Sequence, residues 1–258
     1  MGKYFDTGWL KPIIPVTNQI GTASEDAAFG DQDIVWDWLA IDIPKGTHRL
    51  INASMLVQGT HGARQAEVDF QLWFARPVDG VAPPSLGTPN AVVSGTGHRK
   101  HMLGIVDFDA SHAGGDCFKF NSFYSTGTVS RSGALTSTPG LIVATGGDAE
   151  SSGTNVGMDK IYVAGISLGT TLNFSTNVLT TGSVSVSTSS TDITVDGAHA
   201  TKVFEVGDVI QAMDLAAIGT IQSLTTTSIV VDLCEGALTD DDEILTTSPV
   251  KLKLAFEQ

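Results

Sequence analysis

The string GISLG, Gly165 to Gly169, fits the G-x-S-x-G pattern of a hydrolase nucleophile elbow around Ser167. That chemistry needs a strand, a strained turn and then a helix, with a His–acid pair to activate the hydroxyl. A strand-like run does precede Ser167. The following TTLNFSTNVLTTG is Thr-rich and turn-forming, and His199 is the one histidine downstream. Ser167 is therefore expected to end a strand, not to attack a substrate. A second group is His98, His101 and His112, with Asp107 and Asp109 between them. Two neutral imidazoles and a carboxylate could bind zinc or iron. Arg99 and Lys100 stand beside His98 and would repel a cation, so these histidines are expected to be ordinary polar residues of a turn and a strand end.

TDDDE, Thr239 to Glu243, could attract calcium, but it lacks the spaced oxygen ligands and the glycine of an EF-hand loop. Asp240, Asp241 and Asp242 are adjacent and their side chains diverge, which suits a solvated turn. Asp31 and Asp33 in GDQD have the same standing. Trp36 and Trp38 stand two apart and are expected on one strand face, as core, as a subunit contact, or with Tyr124 as a platform for sugar rings. The chain has no phosphate-binding loop, dinucleotide fingerprint or cysteine metal motif. No catalytic residue, metal ligand or cofactor site is assigned, and the chain is not expected to be an enzyme.

The elements that would position these residues are strands. Runs at 34–43, 49–58, 66–76, 101–107, 116–125, 140–145 and 159–168 follow one another with turn signals between them. In the third, Val68, Phe70, Leu72 and Phe74 alternate with Glu67, Asp69, Gln71 and Trp73, the period-two pattern of a half-buried strand. Between Thr170 and Thr194, 14 of 25 residues are Ser or Thr, which marks a linker or the entry to a second unit. That unit has short strand signals at 183–187, 191–195, 203–211, 217–224, 228–233 and 243–246. The chain closes on PVKLKLAFEQ, again alternating. The expected fold is all-β: an N-terminal arm over 1–30, a β-sandwich or jelly roll over 31–170, and a small β-barrel-like unit over 171–248. The strand 249–258 either returns to complete the sandwich, making the small unit an insertion, or closes the small barrel in tandem. The arm and the Pro- and Gly-rich loop 77–97 are expected to reach neighbouring subunits.

Composition narrows the class of work. The formal net charge is −14, divided as −5 over residues 1–169 and −9 over residues 170–258. An acidic surface repels phosphate backbones and anionic lipid, so neither nucleic acid nor membrane is an expected partner. Cys117 and Cys234 lie far apart in strand-like runs and are expected to be buried free thiols. The N-terminus, MGKYFDTGWLKPIIPV, shows no apolar secretion core, so folding in a cytoplasm is expected.

Two stretches resemble virion structural proteins of tailed bacteriophages, especially those of marine and cyanobacterial hosts. One is DIVWDWLAIDIPKGTHRL with QAEVDFQLWFARPVDGVAPPSLG downstream. The other is KVFEVGDVIQAMDLAAIGTIQSLTTTSIVVDLCEGALTDDDEIL. The second is similar to a small accessory β domain, with a GDVI strand, an IGTI strand, a hydrophobic strand and an acidic DDDE turn in order. The resemblance implies a particle component, of capsid decoration or cement type, that binds the major capsid protein or other virion proteins and self-associates. Its location would be the virion, after assembly in a host cytoplasm. It implies no site residues. A tail or fibre component and a glycan-binding β-sandwich are the alternatives.

Overall fold

The computed structural model describes residues 3–15, 28–59, 64–110, 121–125, 141–144, 159–174, 178–179, 191–197, 200–212 and 217–258. Alternating apolar residues form strands here because each pleat turns successive side chains to opposite faces. The sandwich has two antiparallel sheets. The first contains β1 (Tyr4–Asp6), β3 (Thr47–Gln58), β6 (Asn121–Ser125), β7 (Ile142–Ala144) and β15 (Val250–Glu257), in the order β1-β15-β3, with β6 and β7 both on the far side of β3. The second runs β2 (Ile34–Asp42), β8 (Lys160–Ser167), β4 (Phe70–Ala75), β5 (Met102–Phe108). One core joins them: Leu50, Met55, Leu252, Leu254 and Phe256 from the first sheet meet Trp36, Phe70, Leu72, Phe74 and Val163 from the second. The alternation read in β4 holds, with Val68, Phe70, Leu72 and Phe74 all buried.

The third sheet has the order β10-β13-β12-β11-β14-β9. Its strands are β9 (Val178–Leu179), β10 (Asp192–Thr194), β11 (Val209–Ala212), β12 (Ala217–Leu224), β13 (Ser228–Val231) and β14 (Glu243–Thr246). All lie in the chain between β8 and β15, so we call this part the insert. It encloses its own core, including Ile193, Phe204, Ile210, Ile221, Ile229 and Ile244. A barrel-like ladder was expected; among the described residues the sheet is open, with β10 and β9 at its ends. It bends at β12, whose first part pairs with β11 and whose second part pairs with β13. Gly219 permits the bend: its φ is +139°, and a Cβ there would stand 2.6 Å from Asp232 Oδ1 and 2.8 Å from Leu233 O.

Several local expectations fail for identifiable reasons. The run 203–211 is not one strand. Ala200–Val203 is a short helix, a turn follows, and the strand begins at Val209. Leu172 and Phe174 belong to the sandwich core, so sandwich packing extends past the expected end at 170. Residues 3–15 are extended, as an arm would be, but they lie along their own sandwich. Tyr4–Asp6 pairs with β15, Leu10 bridges Leu252, and Ile14 is fully buried. The loop 77–97 also folds back. Leu86 is fully buried, its N–H donates to Asp37 Oδ1, and Trp38 Nε1 donates to Pro84 O. This covers an edge strand, β2, that would otherwise present unpaired backbone groups. The expected segment 183–187 lies outside the described residues.

Candidate functional site

Ser167 is the last residue of β8 and is fully buried. Its hydroxyl donates to Gly169 O at 3.1 Å and accepts from Gly169 N–H at 3.3 Å. The chain then enters a bridge between Leu172 and Phe29, not a helix. Both glycines of the motif have packing reasons. A Cβ on Gly165 would stand 2.2 Å from the Trp36 indole, and one on Gly169 would stand 2.8 Å from Val68 Cγ1. The match to an elbow thus reflects two close approaches and a turn closed by Ser167. His199 lies outside the described residues.

The histidines fall on a turn before a strand, as expected, but a buried one. His98 and His101 sit in a short 3-10 turn, Gly97–His101, and both are buried. His101 Nδ1 lies 3.0 Å from Arg76 O, so it carries the proton in that contact. The His98 ring packs against Trp73 with centroids 5.7 Å apart. Burial pushes the His98 pKa down, helped by Arg99 and His101. Asp107 and Asp109 are exposed at the far end of β5. Among the described residues, no group of three or more His, Cys, Asp or Glu side chains could hold a metal ion. His112 lies outside them.

The aspartates close turns. Asp33 Oδ2 accepts Gly30 N–H at 2.6 Å, and Asp242 Oδ2 accepts Thr239 N–H. The two tryptophans do not share a face. Trp36 joins the sandwich core, whereas Trp38 packs in a separate cluster with Ile34, Leu86 and Ile166 on the outer face of the second sheet. Register shifts between Ile34 and Trp36 and again between Trp36 and Leu39 cause this, because a bulge breaks the two-residue period. Tyr124 is 1% exposed, stacked edge-on against Phe70 and Phe108, and its hydroxyl accepts Val68 N–H. Trp36 and Tyr124 are therefore unavailable to a sugar ring. Cys234 is buried and free, its thiol donating to Gly236 O, and burial raises its pKa. Cys117 lies outside the described residues.

What the sequence did not reveal is a polar junction between sandwich and insert. Asp208, 1% exposed, takes Lys11 Nζ at 2.7 Å on Oδ1 and Glu205 N–H at 2.9 Å on Oδ2. Lys251 Nζ stands 2.6 Å from Glu205 Oε2 and 3.7 Å from Asp208 Oδ1. Gln58 Nε2 donates to Val203 O beside them at 3.0 Å. Leu56, Gln58, Val203, Ser248, Pro249 and Lys251 line a small gap with room for about one water. Gln65 is a second buried polar anchor, donating to Gln58 O and Asn173 O while Ser122 donates to its carbonyl. The available signal for the junction was Lys251, one of two lysines in a strand whose other face is apolar, and Asp208 behind a turn glycine. A search of family models, curated proteins and solved structures finds no match to the chain.

Proposed function

We propose that the chain is a structural component of a bacteriophage particle that decorates or cements the outer capsid. One observation carries most weight. The stretch that resembles an accessory β domain forms a continuous sheet, β14-β11-β12-β13, over its own core, attached to a sandwich at both of its chain ends. A unit of that kind can vary its surface without disturbing the body that carries it. In this reading the sandwich contacts the major capsid protein and further copies of itself. The insert, which bears most of the negative charge, faces solvent and keeps particles from adhering to one another. Ser167, His98, His101, Asp33, Asp242, Trp36 and Tyr124 serve packing or turn closure, which suits an assembly role.

The test is co-purification. Particles banded on a density gradient should carry the chain in a fixed ratio to the major capsid protein, and empty capsids lacking tails should retain it. Loss of the chain from tailless capsids would move it to the tail or fibre. Recovery only in the soluble fraction would remove the particle reading.

A further inference from the structure

The insert is held to the sandwich by charge as well as by its two chain connections, and the N-terminal segment supplies part of the charge. Within β15, Lys251 and Lys253 are two apart and project from the same face of the first sheet. The Lys253 side chain keeps 40% of its surface exposed, but that of Lys251 keeps only 10%. The insert covers this corner: Leu56, paired opposite Lys251, and Gln58 line the gap closed by Val203. A lysine buried there needs a counter-charge, since desolvation of an unpaired ammonium is strongly unfavourable. Glu205 and Asp208 provide it from a single turn of the insert, made tight by Gly207 at φ +84°.

The N-terminal segment completes the arrangement. It runs antiparallel to β15, from the Tyr4–Glu257 pair through the Leu10–Leu252 bridge, and continues beyond the start of β15. There Ile14 N–H donates to Thr247 O, while Thr247 N–H donates to Val209 O in the insert. Lys11 then reaches Asp208. The segment therefore touches the sandwich over most of its length and the insert at its far end.

We infer that residues 3–14 act as a strap which, through Lys11 and with Lys251, clamps the Glu205–Asp208 turn and fixes the orientation of the insert on the sandwich. Removing the strap would free the insert to reorient while both cores stay folded. This inference does not depend on the particle reading.

Residual dipolar couplings of the full chain test it. In the wild type, amides of the sandwich and the insert should fit one alignment tensor. Asp208→Asn should split this into two tensors, with the amide shifts of both cores retained. Lys11→Met, at a side chain one-third exposed and tolerant of change, should reduce the alignment of the insert relative to the sandwich. Lys253→Met, which breaks only a pair with Asp6 inside the sandwich, should leave one tensor. If Asp208→Asn unfolds the insert, Lys11→Met decides the matter. A single undiminished tensor in Lys11→Met, or two tensors already in the wild type, would overturn the inference.

Discussion

The sandwich and the insert exclude water by different means. The sandwich stacks large rings between two sheets: Trp36, Phe70, Phe74, Tyr124 and Phe256 are all nearly inaccessible, and β3 runs for twelve residues. Among the described residues the insert has a core of Ile, Val, Ala and Leu with Cys234, and Phe204 is its one aromatic member. Large rings meeting across two sheets bury much apolar area per residue, roughly 25 cal/mol for each Å². A small aliphatic core gains less, so the insert relies more on local backbone devices and on its attachment. Gly219 lets its sheet bend, and Asp232 pins that bend by accepting N–H from Thr220 and Leu233, which hold its carboxyl below the usual range. The contrast predicts that core damage to the sandwich is global, whereas core damage to the insert is local.

The largest effect should come from Gly165→Val. Trp36 cannot retreat from the added side chain, since its ring is buried and its Nε1 donates to Val163 O. A loss of more than about 4 kcal/mol is expected, enough to unfold the sandwich in a urea titration. A variant with near-normal stability would show that the Trp36–Gly165 contact does not organise that core. Phe204→Ala should remove about 3 kcal/mol, the low end for a buried Phe. Here the loss should stay within the insert, seen as faster amide exchange in 191–246 while β3, β4 and β8 keep their protection. Equal acceleration in both parts would abolish the distinction between them.

His101→Ala should cost about 1–2 kcal/mol, because a buried hydrogen bond to Arg76 O is lost. His98 adds a pH dependence. Its folded pKa lies below the ordinary 6.5, so the unfolded chain takes up the proton first. The stability it supplies is complete above about 6.5 and is lost as pH falls toward the folded value. His98→Gln should flatten the decline in thermal stability over that window; an unchanged slope would assign the decline to other groups. The smallest effect should be at the acidic turn. Asp240→Asn with Asp241→Asn should change stability by less than about 0.5 kcal/mol, as exposed turn positions do. Added calcium should not raise the melting temperature of the parent.

The pattern of the fold was legible wherever the two-residue period was unbroken. β4, β8 and β15 were visible because their apolar residues alternate or run continuously between turn signals. The period failed where the backbone departs from a regular pleat. Two bulges in β2 put Trp36 and Trp38 on opposite faces, and no residue type in IVWDWL announces a bulge. The run VFEVGDVI imitates a strand although its first residues end a helix and form the turn that carries Asp208. Burial of polar residues was the least visible feature. His98 and His101 look like loop residues beside Arg99 and Lys100, and only the return of the chain past Arg76 and Trp73 covers them. The junction escaped for a related reason: Lys11, Glu205, Asp208 and Lys251 come from three separate stretches, which meet only because the insert's turn packs on β15 and the N-terminal segment runs along that strand.

The most direct test of the proposed role uses the same two regions on assembled particles. Intact phage particles would be labelled with gold-conjugated antibodies, one raised against the insert surface around 225–242 and one against the sandwich. The account predicts dense, regular labelling of the capsid by the first antibody and little by the second until the shell is disrupted. Labelling confined to the tail, or no labelling of particles by either antibody, would contradict it.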